Sequence, residues 1–352
     1  MKIIHTADIH LGSKFTSFPQ EIRKQRQAEL KATFANMVEY AKNNNVSIIM
    51  LCGDIFDSNT PSKKDKEFFY SIIKENKDID FLYLKGNHDI LASYEETYSN
   101  LKLFSNEWES YTYGDVVISG LEIRPLNKTS YYSTLNLDPT KKNIVMLHGQ
   151  IGDSLNSDIN LKKLQNKNID YLALGHIHKV SEGKLDNRGK YVYCGCLEGR
   201  GFDETKRHGF YLLDIDKYNL KYEFVDFASR TIHEVNVDIS PCLNLNEIKN
   251  KINSDISFIS KDIYKINLVG ELNFDVSFNT QDIKSLLEDK AFYLDVSDKT
   301  TRKIDVLKYK NDISIRGEFV RLVMSKNDLT EVEKNKIISL GLKTLDREEV
   351  EL

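Results

Sequence analysis

The sequence predicts an α/β fold built on a layered, largely parallel sheet. Five short apolar runs, at residues 3–4, 48–51, 81–84, 144–147 and 171–174, have the composition of buried strands. Helical patterns separate the first three runs, which gives the strand-helix-strand order of a parallel sheet. With 352 residues, the chain can bury a substantial core and form more than one domain.

A polar block follows each of the five runs. The blocks are Asp8-Ile9-His10, Gly53-Asp54, Gly86-Asn87-His88-Asp89, His148-Gly149 and Gly175-His176-Ile177-His178. Five of the eight histidines of the chain fall in them. Polar residues just past the carboxyl ends of buried strands usually build a site in the crevice above the sheet. We therefore expect the five blocks to form one site.

Two helices complete the first part of the chain. The first is predicted over residues 20–43, where apolar residues recur at three- and four-residue spacings and an Asn-rich stop follows. The second follows Pro61, with Ser62 available at its amino end and Phe68 and Phe69 on its buried face. The first helix joins two strands that should run parallel.

The segment after the third block is less regular. Residues 116–121 predict a strand of a second sheet, and Tyr131-Tyr132 a loop. From residue 178 onward the pattern predicts a turn and three strands, at residues 186–189, 190–194, 209–215 and 220–227. This arrangement is typical of the second sheet of a β-sandwich.

The character of the sequence changes near residue 230. Alternating strand and helix patterns predict a small, separate α+β domain, at residues 231–238, 244–259, 263–269, 280–289 and 292–296. The tail predicts one or two helices whose apolar residues either dock on the domain or face a partner. The expected domains are residues 1–230, 231–310 and 311–352.

Composition limits the cellular context. The formal net charge of −4 and the pI near 6.1 are not those of a strongly basic nucleic-acid binder. The four cysteines lie at no zinc-binding spacing and are expected to be reduced thiols. No run of about 18 apolar residues is present, so we expect no membrane span, no signal peptide and a cytoplasmic location.

The predicted site contains no thiolate. Its carboxylates, imidazoles and one amide suit manganese, iron or zinc in an open coordination sphere rather than a structural zinc site. The side chains concerned are Asp8, His10, Asp54, Asn87, His148, His176 and His178. Seven ligands are too many for one catalytic ion, which needs open positions for water and substrate. Two divalent ions that share one carboxylate fit better.

The order of the blocks, D-x-H, G-D, G-N-H-[DE], H and G-H-x-H, resembles that of the calcineurin-like metallophosphoesterase superfamily. Residues 4–12 and 53–57 are similar to the DNA repair exonuclease branch, the SbcD-type nuclease subunit of bacterial SbcCD. The resemblance in motifs covers roughly residues 1–215 and implies a two-sheet metallophosphoesterase sandwich flanked by helices. It also implies that residues 231–310 form a capping domain that helps bind DNA, followed by a helical C-terminal tail.

The resemblance divides the ligands between two ions. Asp8, His10, Asp54 and His178 would hold one ion, and Asp54, Asn87, His148 and His176 the other. A bridging role suits Asp54, since a carboxylate has two oxygens whereas a neutral imidazole has one lone pair. Manganese is the expected metal, with iron or zinc as alternatives.

The third block adds two predicted catalytic residues. His88 is expected to neutralise or protonate the leaving group. Asp89 either orients the His88 ring or caps the next turn. Asp57 departs from archaeal and eukaryotic relatives, which carry a histidine in this neighbourhood, and receives no catalytic role.

These features predict a metal-dependent DNA nuclease, exonuclease or endonuclease, that acts in double-strand-break repair or recombination. The alternative is a phosphodiesterase or phosphatase for small nucleotides or phosphoproteins. The implied partners are DNA and an SbcC-like ATPase. A homodimer through the two long helices is an alternative to their burial in the core.

A loop of the chain and several lysines are the candidate DNA contacts. Arg200 lies in a Gly-rich loop that resembles one approaching the active site in exonuclease relatives. The predicted DNA-binding residues are Lys14, Lys63, Lys64, Arg200, Lys206 and Arg207. Local positive charge of this kind is what duplex binding requires, whatever the net charge of the chain.

Overall fold

The computed structural model describes residues 1–89, 98–154, 157–273, 276–303, 309 and 311–345. The chain divides into two compact units, Met1–Ile232 and His233–Leu352. All five polar blocks belong to the first unit, which therefore carries every predicted metal ligand.

Two six-stranded sheets form the first unit. Its strands are β1 (Lys2–Thr6), β2 (Val46–Cys52), β3 (Asp80–Leu84), β4 (Leu101–Leu103), β5 (Glu109–Tyr113), β6 (Val116–Gly120), β7 (Lys142–His148), β8 (Tyr171–Gly175), β9 (Ser181–Lys184), β10 (Lys190–Tyr193), β11 (Gly209–Ile215) and β12 (Leu220–Asp226). The first sheet has the order β12-β11-β1-β2-β3-β4, and the second has the order β5-β6-β7-β8-β10-β9. Strands β1, β2 and β3 run parallel, as do β6, β7 and β8. The predicted two-sheet α/β sandwich is confirmed.

The main core lies between the two sheets. Ile48 of β2 and Ile144 and Met146 of β7 belong to one buried cluster. Val145 and Leu147 of β7 point to the opposite face and pack in a second cluster. This alternation follows from the two-residue period of a strand. Because both faces of β7 are buried, its sequence reads as a continuous apolar run.

Helices flank both sheets of the first unit. The helices of the first unit are α1 (Gln20–Asn43), α2 (Lys63–Glu75), α3 (Tyr131–Thr134) and α4 (Leu161–Leu164). Helix α1 spans the predicted residues, and the Ser62 hydroxyl caps α2 by accepting a hydrogen bond from the Asp65 amide at 3.2 Å. Phe34 of α1 and Phe69 of α2 are fully buried, with ring centroids 6.1 Å apart. These two aromatic residues therefore belong to the core and not to a homodimer surface.

Two expectations about the later part of this unit are wrong. Strands β11 and β12 belong to the first sheet, because β11 pairs antiparallel with β1 from Lys2↔Asp214 onward. Local alternation does not specify such a long-range partner. Tyr131 and Tyr132 lie in the short helix α3, where their rings stack 4.0 Å apart in the second cluster. Burial of the two rings outweighs their weak local propensity for helix.

The remainder of the chain alternates strands and helices in the order that the sequence predicts. Its elements are β13 (Ile232–Asp238), α5 (Leu245–Asp255), β14 (Ile263–Val269), β15 (Glu271–Asn273), α6 (Thr280–Leu287), β16 (Tyr293–Asp298), β17 (Thr301–Lys303), α7 (Ile315–Met324) and α8 (Glu331–Leu345). Strands β13, β14 and β16 form a three-stranded sheet with its own apolar core. Helices α7 and α8 pack on each other through a separate cluster that includes Val320 and Ile338. No helix in the described ranges is long and apolar enough to cross a membrane.

Arg26 is a charged residue on the buried face of α1, and its side chain is inaccessible to solvent. Its guanidinium donates to the carboxylates of Glu198 and Glu29, each at 2.6 Å, and to the Gly199 carbonyl at 3.0 Å. The Glu198 side chain is also fully buried. These bonds attach α1 to the segment that leads directly to Arg200.

Replacing Arg26 with methionine should lower the free energy of unfolding by about 3–5 kcal/mol, because the buried Glu198 carboxylate loses its counter-charge. Urea denaturation followed by circular dichroism measures the loss. Lys42→Met is the matched control on the same helix: Lys42 pairs with Glu39 at 3.1 Å, and both side chains are more than half exposed. Such pairs contribute at most about 1 kcal/mol. Equal losses in the two variants would contradict a stabilising role for the Arg26 contacts.

Candidate metal centre

The five polar blocks meet at the carboxyl ends of β1, β2, β3, β7 and β8. Parallel pairing continues beyond the strands, since the Asp8 amide donates to the Gly53 carbonyl at 3.0 Å and the Gly149 amide to the Gly175 carbonyl at 3.2 Å. The His176 amide then links the two sheets by donating to the Asp8 carboxylate at 2.9 Å. The blocks are therefore held in register with one another.

Six of the seven predicted ligands form two groups. The groups are Asp8, His10 and His178, and Asp54, His148 and His176. In each group the ligand atoms lie within 4.8 Å of one another. Asn87 joins the second group, because its Oδ1 lies 3.0 Å from His148 Nε2 and 2.9 Å from His176 Nδ1. The bridging role of Asp54 remains a prediction.

The second group brings together atoms that accept hydrogen bonds or bind cations. Asp54 Oδ2 lies 3.3 Å from His148 Nε2, and the Asn87 oxygen lies 3.0 Å from the same nitrogen. This convergence is unfavourable unless a proton or a metal ion supplies positive charge among the atoms. The oxygen and imidazole donors fit a divalent cation such as manganese, iron or zinc.

The protonation of His148 reflects the same demand for positive charge. Its Nδ1 donates to the Cys52 carbonyl at 2.8 Å, which fixes the tautomer and directs Nε2 to the ligand group. Burial alone would lower the pKa of His148, but the hydrogen bond and charge of Asp54, with the charge of Asp8, raise it to about 9. In the metal-free protein a proton on Nε2 supplies the charge that a bound ion would supply.

The first group has a different protonation pattern. His10 Nε2 lies 3.2 Å from His178 Nε2, so one of these nitrogens must offer a lone pair. Burial lowers the pKa of His10 to about 4, which keeps its ring neutral at physiological pH. Burial also raises the pKa of Asp8 to about 6, so that this carboxyl is mostly ionised at neutral pH. The group is therefore able to bind a cation without first losing a proton from His10.

Glu204 is a site residue that the sequence analysis does not assign. Its buried carboxylate accepts a hydrogen bond from His178 Nδ1 at 2.6 Å, which leaves His178 Nε2 facing His10. Arg200 donates to Glu204 at 2.8 Å and to Asp57 Oδ1 at 2.9 Å. A carboxylate behind a ligand histidine fixes the ring and raises its basicity. The only sequence signal for this role is the position of Glu204 in the Gly-rich loop.

His88 lies beside the first group and is exposed. Its ring lies edge-on to that of His10 with centroids 5.0 Å apart, and its Nδ1 lies 3.2 Å from the Asp57 carbonyl oxygen. The His88 amide donates to Asp54 Oδ1 at 2.7 Å, so its backbone also positions a ligand. The catalytic role of its ring remains a prediction.

Asp89 is fully buried and holds the backbone of its loop. Its carboxylate accepts hydrogen bonds from the amides of Ile55 at 2.8 Å and Gly86 at 2.6 Å, and from the Tyr83 hydroxyl at 2.6 Å. The two roles expected of Asp89, orientation of the His88 ring and capping of the next turn, remain predictions, whereas these contacts hold residues before it and in the second block. Asp89 is therefore a positioning residue for the third block.

The six predicted DNA contacts lie in different surroundings. The exposed lysines are Lys14, Lys63, Lys64 and Lys206. Arg207 is also exposed and pairs with Asp226 at 2.8 Å. Arg200 instead lies in the site, where Asp57 and Glu204 neutralise its guanidinium. The structure thus places Arg200 among the carboxylates of the site, and DNA contact by all six residues remains a prediction.

The chain is similar to several known proteins. Residues 1–180 match the family described as Calcineurin-like phosphoesterase. The uncharacterized metallophosphoesterase YhaO of Bacillus subtilis (strain 168) is 26% identical over 74% of this chain and 69% of its own length. The DNA double-strand break repair protein Mre11 of Saccharolobus solfataricus is 23% identical over 99% of this chain and 96% of its own length. A dimetal phosphatase of Danio rerio matches 65% of this chain and 99% of its own, at 11% identity and a TM-score of 0.42.

The metal-free protein should lose stability as the pH rises from 6.5 to about 9. The pKa of His148 is raised from 6.5 to about 9 in the folded chain, so its proton stabilises the fold fully below pH 6.5. That contribution is lost as the pH rises through the folded pKa. A shift of this size corresponds to about 3 kcal/mol. The pKa of His178 is also raised, and its proton acts in the same direction.

Urea unfolding in the presence of EDTA at several pH values measures this dependence. His148→Asn should show a smaller fall in unfolding free energy over the same interval. Added Mn²⁺ should stabilise the wild type more at pH 9 than at pH 6.5, because the ligand nitrogen is already deprotonated. An equal pH slope in wild type and variant would contradict the assignment of the proton to His148.

Proposed function

Since the chain belongs to the calcineurin-like phosphoesterase family, we propose that it is a DNA nuclease that hydrolyses phosphodiester bonds with two bound divalent ions. The observation that carries this proposal is the convergence of seven ligand side chains in two groups at one edge of the sandwich. We propose manganese as the metal, with iron or zinc as alternatives that the same donors accept.

The bound ions and the protein side chains would contribute to the proposed reaction in different ways. Bound ions would activate a water molecule and neutralise negative charge on the phosphoryl oxygens. The chain holds the ligand rings rigidly, through Glu204 at His178 and through the Cys52 carbonyl at His148. Little reorganisation is therefore needed when charge develops on the substrate. His88 is placed to neutralise or protonate the leaving oxygen as its bond to phosphorus breaks.

DNA is the proposed substrate for two reasons. The relative from Saccharolobus solfataricus is described as a DNA double-strand break repair protein, and its similarity extends through both units of this chain. A compact phosphodiesterase for small molecules does not require a second folded unit, whereas a nuclease that grips a duplex gains contact surface from one. We propose a role in double-strand-break repair or recombination on this basis.

A phosphodiesterase for small nucleotides is the second candidate. The chain has a formal net charge of −4. Three of the six predicted DNA contacts, Arg200, Arg207 and Lys63, are paired with carboxylates. These pairs reduce the positive charge that the surface offers to a duplex, and they favour a smaller substrate.

We further propose that the helical tail contacts an SbcC-like ATPase. Helices α7 and α8 bury Val320 and Ile338 against each other. Ile315 and Leu322 of α7 remain 73% and 58% exposed. Exposed apolar residues on an otherwise packed helix pair fit recognition by a groove on another protein.

The first test is the cleavage of an end-labelled linear duplex with Mn²⁺, beside the hydrolysis of bis-p-nitrophenyl phosphate. Asp54→Asn should reduce both activities by at least about 10³-fold, equivalent to about 4 kcal/mol of lost transition-state stabilisation, because it removes a charged ligand. If the wild type cleaves the small diester but leaves the duplex intact, with or without an ATPase partner, the small-nucleotide function is correct instead.

The role of His88 is tested by separating metal binding from proton delivery. His88→Ala should retain its Mn²⁺ content after gel filtration and lose about 10²–10⁴-fold in turnover of a dinucleotide. The loss should be smaller on bis-p-nitrophenyl phosphate, whose leaving group needs no proton. His233→Ala, at a histidine outside the site residues, is the control. Loss of metal together with activity, or equal losses on both substrates, would argue against a general-acid role.

A further inference from the structure

A small cleft opens beside the second ligand group. Lys85, Arg124 and Asp158 line it together with Asn87 and His148. Its volume is about 70 Å³. A water molecule needs roughly 10–15 Å³ on this measure, so the cleft has room for roughly five heavy atoms, the number in a phosphate group.

The charges around the cleft favour an anion. Lys85 and Arg124 contribute two positive charges to its lining, against one negative charge from Asp158. Glu122 pairs with Arg124, and Lys128 pairs with Asp158 at 2.9 Å. These two partners add one negative and one positive charge, so the net charge around the cleft stays positive. Arginine and lysine are the side chains that most often bind phosphate oxygens.

The wall that carries Arg124 is fixed before any ligand binds. Asn127 Oδ1 accepts a hydrogen bond from the Arg124 amide at 2.7 Å, and Asn127 Nδ2 donates to the Glu122 carbonyl at 2.9 Å and the Asn106 carbonyl at 2.8 Å. The opposite wall is held by Asp158, whose Oδ2 accepts from the Gln150 amide at 3.1 Å. A preformed cleft of this kind avoids most of the ordering cost of binding.

The position of the cleft defines which part of a substrate it could hold. Asn87 and His148 are shared between the cleft and the second ligand group. A phosphate in the cleft would therefore lie next to the phosphate that reacts, which is the position of a neighbouring phosphate in the same strand. The His88 ring, by contrast, contacts His10 of the first group.

We propose that Lys85 and Arg124 bind a second phosphate group that flanks the scissile one. The inference rests on the proposed phosphodiesterase function and deepens it by defining the substrate class. The preferred substrate is then a nucleotide strand, in which every internal diester has a phosphate neighbour, and not an isolated diester.

Dinucleotides that differ by one phosphate test this inference. The wild type, loaded with Mn²⁺, is assayed on TpT, which has a single diester, and on pTpT and TpTp, which add a terminal phosphate at either end. One of the two phosphorylated forms should have a kcat/KM about 10- to 100-fold above that of TpT, the effect expected of charge-assisted hydrogen bonds. In Lys85→Gln/Arg124→Gln this ratio should fall to near one.

The matched control removes two lysines of the same unit whose ammonium groups lie outside the cleft. Lys141→Gln/Lys162→Gln has the same change in net charge, and both lysines are paired with exposed carboxylates, Asp115 and Asp153. It should keep the wild-type ratio. Urea midpoints of the two double variants verify that both are folded.

The outcomes separate failure of the inference from failure of the proposed function. Equal kcat/KM of the wild type on all three dinucleotides overturns the phosphate cleft while leaving the nuclease proposal intact. The cleft is also rejected if the Lys85/Arg124 variant keeps the full preference. If the wild type hydrolyses neither the dinucleotides nor bis-p-nitrophenyl phosphate, the proposed function fails and the inference fails with it.

Discussion

The contact on which the site depends is the close approach of the two sheets at the Cys52 carbonyl. His148, from the second sheet, donates a hydrogen bond to this carbonyl at the end of β2. A Cβ atom on Gly53 would lie 2.2 Å from His148 Nδ1, and one on Gly175 would lie 2.0 Å from the Cys52 oxygen. A side chain at Gly53 would displace the His148 ring, and one at Gly175 would force backbone apart in a region that is otherwise close-packed. The second ligand group combines residues of both sheets, so it forms only where the sheets approach this closely.

Three of the ligands have backbone conformations that residues other than glycine rarely adopt. Asp8, His10 and Asp54 have positive φ angles of 51°, 54° and 53°. Such conformations cost about 1–3 kcal/mol each outside glycine, although Asp and His tolerate them better than most residues. The converging lone pairs and carboxylates add an electrostatic cost. Both costs are imposed by the core between the sheets, and a bound cation offsets the second, so metal binding and folding stability are linked.

Local patterns in the sequence predict α1, α2 and the five blocks, because helical and strand periods and strand-end polarity are short-range properties. What the sequence does not predict depends on partners that are distant along the chain. The pairing of β11 with β1 joins the two ends of the first unit. In the sequence, Arg26 has the pattern of an exposed helix residue, and only the fold shows that its partner is Glu198. Glu204 likewise has the pattern of a loop carboxylate, and only the fold shows its hydrogen bond from His178. Asp89 is ambiguous in part for the same reason, since one of its donors, the Ile55 amide, is distant along the chain.

Charged side chains are distributed unevenly between the two ligand groups. On the side of the first group, Arg200 is neutralised by Asp57 and Glu204, so this guanidinium adds rigidity and little net attraction for an anion. On the side of the second group, the three cations Lys85, Arg124 and Lys128 exceed the two carboxylates Glu122 and Asp158 by one charge. A chain with an overall negative charge can therefore still hold an extended polyanion, provided that the polyanion runs over the cationic side. The His88 ring lies on the other side, against His10 of the first group, so in the proposed reaction a proton for the leaving oxygen would come from the side that offers an anion less attraction.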